Sequence, residues 1–451
     1  MIKPGKIIIV GGNAAGPAAA AKAKRTNPNA EVIIFEAGDF ISTGTCEIPY
    51  VLSGEIKDIN SILFFNAESF KREKGVDVYI KHLVEEIHRK EKIIVVRNLI
   101  DDKINEISYD KLILTTGSKA KTLSTFPLNA KNVFTLKSIN DLIVLKSYLE
   151  TNKVNRAAVI GSGYIGLEIV DALKKLKLEV ALFEKEKLPI PSSEPEIGFL
   201  IKELLKNNEV DFWGNAGNLK VHYSEDNEYI KSLETDGRIL EFDIYIVAAD
   251  FIPNTNLAVS SKIEIGKTNA IKIDNKLKTS DPDILAAGDN VEVINAVTKR
   301  PDYIPLASVA HQYAHAAGEN AAGGNVHVEP VIKNLSVKIF DKYFISVGLS
   351  SSEAGKHGFM YNTVSEVVPD LVKIMPGSSN VFGKIIFDKN NKYILGAAFF
   401  GGKEVSGYGD LLSSLIKTKQ PANILSKINY NYTPPLSPFI NLLSVLGRKI
   451  K

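Results

Sequence analysis

Two copies of one short pattern constrain the fold of this chain more than any other feature. Each copy is a β-branched run, a glycine-rich turn and a helix-forming segment, first "KIIIVGGNAAGPAAAAKAKR" and later "RAAVIGSGYIGLEIVDALKKLK". A strand, a turn with small residues and a helix together bring free N–H groups to a phosphate. Each copy therefore predicts a βαβ nucleotide-binding unit, and 451 residues allow two such domains and a third.

The first glycine turn departs from the full G-x-G-x-x-G pattern. Gly11 and Gly16 occupy its first and third glycine positions, whereas Asn13 stands at the second. The next strand, "EVIIFEA", ends in Glu36, whose carboxylate can accept a hydrogen bond from a ribose hydroxyl. A turn without a ligand is the alternative, but strand, helix and acid together favour a dinucleotide.

The second glycine turn is complete, with Gly161, Gly163 and Gly166 in the three positions. A buried strand precedes it, a helix follows it, and the next strand, "EVALFE", ends in Glu184. This context argues against a turn that binds nothing. Two such units in one chain imply two dinucleotides, most simply FAD and a nicotinamide nucleotide.

The acidic residue of the second unit, Glu184, helps to predict whether NADH or NADPH binds. A carboxylate at Glu184 repels a 2′-phosphate and therefore favours NADH. Lys185 and Lys187 follow it directly, and either side chain could reach a 2′-phosphate. We therefore expect NADH and leave NADPH open.

Composition excludes several other classes of protein. There are 55 Lys and Arg residues against 52 Asp and Glu, a net charge of +3 without a basic stripe, which does not suggest nucleic acid. No apolar stretch reaches about 18 residues, so we expect no membrane span. The opening "MIKPGKIIIVGG" lacks the features of a signal peptide, and a single cysteine suits a reducing, cytoplasmic setting.

Six segments, in this order, resemble the flavin-dependent pyridine nucleotide-disulfide oxidoreductases. They are "GGNAAG", "TCEIPY", "GSGYIGLE", "TSDPDILAAGD", "PLASVAHQYAHAAGENAAGG" and "YTPPLSP". The resemblance covers nearly the whole chain. It is strongest to the single-cysteine branch, which contains coenzyme A disulfide reductases, persulfide reductases, and NADH oxidases and peroxidases.

The resemblance implies an α/β fold with two Rossmann-like dinucleotide-binding domains and a C-terminal α+β dimerisation domain. The implied FAD-binding domain comprises residues 1–120 and 253–328 and is split around an NAD(P)H-binding domain at 121–252. Residues 329–451 are the implied dimerisation domain. The resemblance also implies a homodimer, with the C-terminal segment of one subunit near the active site of its partner.

The same resemblance implies the residues that bind the two cofactors. Those matched to FAD are Gly11, Gly12, Ala15, Gly16, Glu36, Ser42, Val84, Thr116, Gly117, Gly288 and Asp289. Those matched to the nicotinamide nucleotide are Gly161, Gly163, Tyr164, Ile165, Gly166 and Glu184. The carboxylate of Asp289 could accept a hydrogen bond from a ribityl or ribose hydroxyl.

Two tyrosines in this resemblance have both a functional and a structural interpretation. Tyr164 matches an aromatic residue that covers the flavin where nicotinamide enters, and simple packing is the alternative. Tyr432 matches a tyrosine that reaches the partner's cysteine and donates a proton. A tyrosine buried in a dimer interface is the alternative there.

The only cysteine of the chain, Cys46, is either a small buried hydrophobe or the reactive group. It precedes a segment that predicts a helix with Pro49 in its first turn, and a helix N-terminus lowers the pKa of a thiol. The resemblance places Cys46 against the flavin. With no second cysteine, its oxidised form must be a mixed disulfide, a persulfide or a sulfenic acid.

Four basic residues are candidates for a substrate pocket. Lys22 and Arg25 share one face of the first helix and match the side that meets substrate in the coenzyme A branch. A solvated basic face is the alternative. His311 and His315 are four residues apart on a later helix, where lining the substrate or packing is expected and a metal site is not.

Several positions depart from the branch. Ala14 replaces the histidine of the oxidases and peroxidases, which argues against oxygen or peroxide as the main acceptor. Glu47 replaces a small residue after the cysteine and would disfavour a thiolate if it pointed inward. "IMPGS" replaces a tyrosine pair before Pro-Gly, and Asp250 and Ile252 replace a glycine and an arginine.

Three functions therefore remain in competition. The first is an NAD(P)H-dependent reductase of a low-molecular-weight disulfide or persulfide, most simply coenzyme A disulfide, acting through Cys46. The second is an NADH oxidase in which Cys46 cycles through sulfenic acid. The third is a flavoprotein reductase or redox sensor with a protein acceptor, in which Cys46 has no role.

Overall fold

The computed structural model describes residues 5–450. Its first sheet is parallel, and its five strands run in the spatial order Ile284–Ala286, Lys111–Leu114, Lys6–Val10, Glu31–Phe35 and Asp77–Tyr79. Four of these strands are short apolar runs and are largely buried, as expected for a parallel sheet covered on both faces, whereas the edge strand Asp77–Tyr79 is partly exposed. The helices packed against it are Ala15–Thr26, Ala67–Lys74 and Ala307–Ala321.

Two smaller β-structures lie beside the first sheet. One is an antiparallel meander of the strands His82–His88, Ile93–Asn98 and Ile104–Ser108. The other is the strand pair Ile41–Thr43 and Leu63–Phe65, which precedes and follows the segment with the cysteine. Short elements fill the connections, namely the helices Ile48–Leu52 and Asn256–Ser260, the 3₁₀ turns Thr45–Glu47 and Ile59–Ile62, and the strand pair Val293–Ile294 and Pro301–Asp302.

The second sheet repeats the parallel architecture. Its strands run in the order Val133–Phe134, Ile244–Val247, Arg156–Ile160, Glu179–Phe183 and Val210–Trp213. Its helices are Ile139–Thr151, Tyr164–Lys175 and Pro195–Asn207. It too carries an antiparallel meander, formed by Lys220–Tyr223, Ile230–Thr235 and Arg238–Glu241.

The chain leaves the first sheet and returns to it at adjacent places. The strand Ser118–Ala120 pairs with Phe251–Pro253 in antiparallel fashion, and the second sheet is built from the residues between them. One hydrophobic core surrounds the first parallel sheet, and two lie against the second parallel sheet. The domain boundaries that the sequence suggests at 120, 252 and 328 stay a prediction.

A third, antiparallel sheet forms the C-terminal part. Its order is Asn334–Ile339, Lys342–Gly348, Ile394–Gly401, Asn380–Asp388 and Tyr361–Pro369. The elements around it are the helices Ser351–Lys356, Val405–Lys417 and Leu442–Lys449 and the 3₁₀ turn Ala422–Ser426. The predicted fold class, two Rossmann-like units and a C-terminal α+β unit, is confirmed. Between residues 5 and 450, no helix is both long and apolar enough to cross a bilayer.

Candidate active site

Both glycine turns adopt the same backbone conformation. Gly11 and Gly161 each have φ of +105°, which residues with a side chain rarely adopt. A Cβ at Gly16 would lie 1.8 Å from the carbonyl oxygen of Gly11, and one at Gly166 would lie 2.0 Å from that of Gly161. Only glycine therefore lets each helix start this close to the preceding strand.

Each turn also forms hydrogen bonds with the glutamate that follows the next strand. Glu36 accepts hydrogen bonds from the backbone N–H groups of Gly12 and Gly38, both at 2.6 Å. Glu184 accepts bonds from the backbone N–H and the hydroxyl of Ser162, at 3.0 and 2.7 Å. The two carboxylates, predicted from the sequence to meet ribose, thus also fix the shape of the turns.

The helices that follow the turns have uncapped N-termini. The N-cap residues, Ala14 and Gly163, offer no side-chain hydrogen bond, and neither helix carries an acid in its first turn. A Cβ at Gly163 would meet no protein atom within 4 Å. Free N–H groups at a positive helix end suit a pyrophosphate. The structure therefore fits two dinucleotides at the predicted positions.

The segment of Cys46 is attached to the first glycine turn. The backbone N–H of Ser42 donates to the carbonyl of Gly12 at 2.9 Å, and the Thr43 hydroxyl donates to the Asn13 side chain. Ser42 has φ of +50°, which bends the chain there. Cys46 follows in a 3₁₀ turn, and its side chain is exposed. The interpretation of Cys46 as a buried hydrophobe is therefore wrong.

The expected effect of the helix N-terminus on Cys46 is also wrong. The helix Ile48–Leu52 begins where predicted, with Pro49 in its first turn, but it has only five residues. The protein around the sulfur reduces the hydration of a thiolate and so raises the pKa of Cys46, although the residue is exposed to solvent on one side. The carboxylates of Glu47 and Glu168 raise this pKa further.

A polar cluster surrounds Asp289 at the end of the first sheet. Gly288 has φ of +100°, which turns the chain so that Asp289 follows the buried strand. The Asp289 carboxylate accepts a hydrogen bond from Ser118 at 3.0 Å and pairs with Lys137 at 3.2 Å. The hydroxyl of Tyr303 donates to its carbonyl at 2.9 Å. The sequence analysis missed Ser118 and Lys137, which are 171 and 152 positions from Asp289, and Tyr303, which is 14 positions away, because none of them belongs to a motif.

Two further predicted residues lie where the chain crosses between the parallel sheets. The Thr116 hydroxyl donates to the carbonyl of Asn254 at 2.6 Å, and the N–H of Asn254 donates to the carbonyl of Gly117 at 2.9 Å. Gly117 has φ of +66°. These contacts tie the outgoing and returning strands together next to Asp289.

The remaining predicted cofactor residues are mostly packed into the protein. Ala15 and Val84 are buried in the core of the first sheet. Ile165 and Tyr164 are partly buried against the core of the second sheet. The Tyr164 hydroxyl lies 3.4 Å from that of Ser192. The structure supports packing for these side chains, and their contacts with cofactors stay a prediction.

The structure brings together the four predicted substrate residues on two helices. The rings of His311 and His315 lie 4.3 Å apart between centroids, and Lys22 pairs with Glu319 at 2.7 Å. Arg25 is exposed on the same helix as Lys22. Burial, followed by the charges of His311, Arg25 and Lys22, lowers the pKa of His315. No metal-binding group of three or more side chains occurs among residues 5–450.

Tyr432 lies in an irregular, proline-containing segment of the C-terminal part. Its side chain is 49% exposed and packs edge-on against Phe439, with ring centroids 5.3 Å apart. Within the part of the chain described here, no hydrogen bond joins Tyr432 to the turn of Cys46. A contact with the partner subunit's cysteine therefore stays a prediction.

Comparison with known proteins identifies the family. The model of the family described as "Pyridine nucleotide-disulphide oxidoreductase" matches residues 5–314, which include both glycine turns and Asp289. The chain belongs to this family. Pyridine nucleotide-disulphide oxidoreductases use FAD and NAD(P)H, and this chain is an oxidoreductase of the coenzyme A disulfide reductase, persulfide reductase and NADH oxidase group.

Several members of the group are similar to nearly the whole of this chain. A "NAD(P)H sulfur oxidoreductase (CoA-dependent)" of Pyrococcus abyssi is 28% identical over 99% of this chain and 98% of its own. A "NADH oxidase" of Methanocaldococcus jannaschii is 28% identical over 96% and 95% of the two chains. The crystal structure of reduced Bacillus anthracis CoADR-RHD has a TM-score of 0.94 and 28% identity, covering 99% of this chain and 80% of the other.

Asp250, which departs from the expected sequence pattern, keeps the backbone conformation of the glycine that it replaces. Asp250 replaces an expected glycine but keeps a φ of +93°, a conformation that favours glycine. Its carboxylate accepts a hydrogen bond from the N–H of Phe251 at 2.9 Å, which helps to hold this backbone. In the "IMPGS" segment, where the resemblance leads us to expect a tyrosine, Ile374 is 88% exposed, so an aliphatic side chain stands on the surface.

Proposed function

We propose that this oxidoreductase reduces a low-molecular-weight disulfide or persulfide, most simply coenzyme A disulfide, through Cys46. The observation that carries the proposal is the position of this residue. Cys46 is the only cysteine of the chain, it is exposed, and its segment is hydrogen-bonded to the first glycine turn. A thiol held at a nucleotide-binding turn is suited to exchange electrons with a bound cofactor.

The chemistry balances with one cysteine and one disulfide substrate. The Cys46 thiolate attacks one sulfur of the disulfide, the S–S bond breaks, and the first thiolate leaves and takes up a proton. A mixed disulfide remains on Cys46. Two electrons from NAD(P)H then reduce it, which releases the second thiol and restores the Cys46 thiolate. One disulfide, one NAD(P)H and one proton yield two thiols and NAD(P)⁺.

The proposal assigns the cofactors to the two glycine turns. FAD is held by the first turn with Glu36 and Asp289, and the nicotinamide nucleotide by the second turn with Glu184. When bound, FAD supplies a two-electron link between NAD(P)H and sulfur. The protein contributes the uncapped helix ends that bind the pyrophosphates and the rigid turn that holds Cys46.

The basic cluster supports coenzyme A as the substrate class. Lys22, Arg25, His311 and His315 lie on two helices that pack closely, since a Cβ at Gly318 would lie 2.1 Å from the carbonyl of Ala19. Such a concentration of cationic and hydrogen-bonding groups suits the phosphates of coenzyme A. Glu319 offsets part of this charge by pairing with Lys22.

We also propose that the enzyme acts as a homodimer in the cytoplasm. Leu436, Phe439 and Ile440 are exposed to 71%, 77% and 43% in the C-terminal segment that carries Tyr432. A run of exposed apolar side chains of this kind is suited to covering by a second copy of the chain.

The test is anaerobic NADH consumption by the flavin-loaded enzyme with coenzyme A disulfide, comparing the wild type with Cys46→Ser. We expect fast turnover in the wild type and none in the variant, with equal flavin content and equal flavin reduction by NADH in both. Turnover retained in Cys46→Ser would contradict the proposal. Consumption that needs oxygen and forms water would instead indicate an oxidase, as in the relative of that name.

A further inference from the structure

One loop runs from the acidic residue of the second unit into the interior of the protein. It comprises residues 185–194, follows Glu184 directly and leads into the helix Pro195–Asn207. At its start, the backbone N–H of Glu186 donates to the Glu184 carboxylate at 3.1 Å. Its last residue, Glu194, is only 2% exposed. The loop thus begins at the nicotinamide site proposed above and ends at a buried carboxylate.

The middle of this loop lies against the second glycine turn. The backbone N–H of Ile190 donates to the carbonyl of Ser162 at 3.1 Å, and the hydroxyls of Ser192 and Tyr164 are 3.4 Å apart. Ile190 is 2% exposed and has φ of +48°, a conformation that a β-branched residue rarely adopts. Such a backbone persists only where its surroundings hold it. The shape of the loop at the turn therefore depends on the contacts that fix the rest of the loop.

The carboxylate of Glu194 supplies such contacts, and its partners belong to the C-terminal part. Its Oε1 accepts a hydrogen bond from the backbone N–H of Ser351 at 2.6 Å, and its Oε2 accepts one from the Ser351 hydroxyl at 2.8 Å. Oε2 also pairs with Nζ of Lys384 at 2.7 Å. Lys384 is 8% exposed and lies on the strand Asn380–Asp388. Three contacts to a buried carboxylate form a strong attachment, because hydrogen bonds to charged groups are stronger than those between neutral groups.

This attachment lies beside a hydrophobic core that the second parallel sheet shares with the C-terminal sheet. Ile190 of the loop and Ile197 of the following helix belong to the same buried cluster as Phe382 and Phe400 of the C-terminal strands. Closely packed side chains leave the two parts little freedom to move apart. The C-terminal sheet therefore offers Glu194 a fixed point of attachment.

We propose that Glu194 is a positioning residue for the nicotinamide nucleotide, with Ser351 and Lys384 as the groups that hold it. This inference rests on the proposed binding of that nucleotide at the second glycine turn. The Glu194 carboxylate is buried and both of its oxygens are bonded, so it acts on the nucleotide through the loop. A loop that is fixed before the nucleotide arrives loses less entropy on binding. The C-terminal part thus contributes to NADH affinity although it contains neither glycine turn.

Glu196 provides a matched control for Glu194. Its carboxylate oxygens lie 2.9 and 3.0 Å from the same Nζ atom of Lys384. Glu196 stands on the helix after the loop, and its side chain is 41% exposed. The two glutamates therefore share a lysine, but only Glu194 ends the loop and binds Ser351.

The first experiment measures NADH binding through anaerobic flavin reduction in the flavin-loaded enzyme. In Glu194→Gln an amide group replaces one acceptor oxygen and must face either the Ser351 N–H or the Lys384 ammonium group, both of which are donors. We expect the apparent Kd for NADH to rise on the order of tenfold, while the rate of flavin reduction at saturating NADH changes by at most about twofold. The KM for coenzyme A disulfide should stay unchanged, as a general loss of structure would not allow.

Two further variants complete this measurement. Ser351→Ala removes one hydrogen bond to Glu194 and keeps the backbone N–H, so it is the milder change and should raise the Kd for NADH roughly threefold. Glu196→Gln should leave this Kd unchanged. An unchanged Kd in both Glu194→Gln and Ser351→Ala would overturn the inference, and so would an equal increase in Glu196→Gln.

The second experiment measures hydrogen exchange in the loop without any nicotinamide nucleotide. We expect the backbone amides of residues 185–194 to exchange faster in Glu194→Gln by roughly tenfold, including the amide of Ile190 that bonds to Ser162. Peptides that contain the first glycine turn should exchange at the rate of the wild type. In Glu196→Gln the loop should also exchange as in the wild type. Unchanged exchange of the loop in Glu194→Gln would overturn the inference.

The two measurements fail separately from the proposed function. Faster exchange of the loop without weaker NADH binding would overturn the positioning role, even if Cys46→Ser abolished turnover. Retained turnover in Cys46→Ser would overturn the proposed function. Neither the exchange of the loop nor the reduction of the flavin by NADH requires Cys46, so neither result depends on that outcome.

Discussion

The buried carboxylate of Glu184 accepts two hydrogen bonds from Ser162, from its backbone N–H at 3.0 Å and from its hydroxyl at 2.7 Å. The first unit has an equivalent contact, from the backbone N–H of Gly12 to Glu36 at 2.6 Å. In each unit, the acid that ends the second strand thus holds the glycine turn that follows the first. The turn and the acid form one rigid unit, at which we propose that a nucleotide binds.

This arrangement predicts the nucleotide preference. Glu184→Gln matches the glutamate in size and keeps one acceptor oxygen, but it removes the charge that repels a 2′-phosphate. We expect the preference for NADH over NADPH, measured as the ratio of kcat/KM values, to fall on the order of tenfold. Glu186→Gln, an exposed neighbour, is the control and should leave the ratio unchanged. An unchanged ratio in Glu184→Gln would show that this carboxylate does not select the nucleotide.

The second glycine turn predicts two different effects for two glycine-to-alanine variants. In Gly166→Ala the new Cβ would lie 2.0 Å from the carbonyl of Gly161, so we expect thermal unfolding at a clearly lower temperature. In Gly163→Ala the new Cβ meets no protein atom, so the fold should remain stable. That methyl group stands where the pyrophosphate is proposed to bind, and NADH should bind more weakly. Equal stability of the two variants, or normal NADH binding by Gly163→Ala, would contradict this assignment.

The parallel sheets and their glycine turns were predictable because their signals are local. A β-branched run, a glycine with positive φ and an apolar helix lie within about 20 residues of each other, so the sequence contains the whole unit. The acids Glu36 and Glu184 follow at a fixed distance for the same reason.

Other parts of the site depend on contacts that no local pattern contains. Lys137 meets Asp289 across 152 positions of the chain. The environment of Cys46 includes Glu168, which belongs to the second parallel unit. A helix N-terminus next to Cys46 was visible in the sequence, and it suggested a lowered pKa. The sequence could not show that the helix has only five residues or that surrounding protein reverses the shift.

If the basic cluster binds coenzyme A disulfide, removing its cations and removing its acidic partner should change the KM in opposite directions. Lys22→Ala combined with Arg25→Ala removes two cations, so the KM for coenzyme A disulfide should rise on the order of tenfold while kcat changes little. Glu319→Gln releases Lys22 from its ion pair at 2.7 Å and should lower the same KM. Steady-state kinetics at low and high salt measure both effects. An unchanged KM in the double variant would remove these residues from the substrate site.

The residue after the cysteine predicts a change in the pH dependence of the thiol. The Glu47 carboxylate raises the pKa of Cys46, so the thiolate forms only as the pH rises above the usual range of a thiol. Glu47→Gln should lower that pKa and accelerate alkylation of Cys46 at pH 8 by roughly threefold. An unchanged alkylation rate would show that the carboxylate of Glu47 is screened by solvent.

If Tyr432 reaches the active site of the partner subunit, we expect that two inactive variants, mixed as a dimer, restore activity. If Tyr432 of one subunit serves Cys46 of its partner, then Cys46→Ser and Tyr432→Phe each damage every site of their own homodimer. A mixed dimer of the two variants contains one site with both residues intact, so activity should return after subunit exchange. The mixture is assayed with coenzyme A disulfide, and a sample of each variant treated alone is the control. Leu436→Asp, which places a charge on the exposed apolar segment, should prevent both dimerisation and recovery. Full activity of Tyr432→Phe alone would show that this hydroxyl has no part in the reaction.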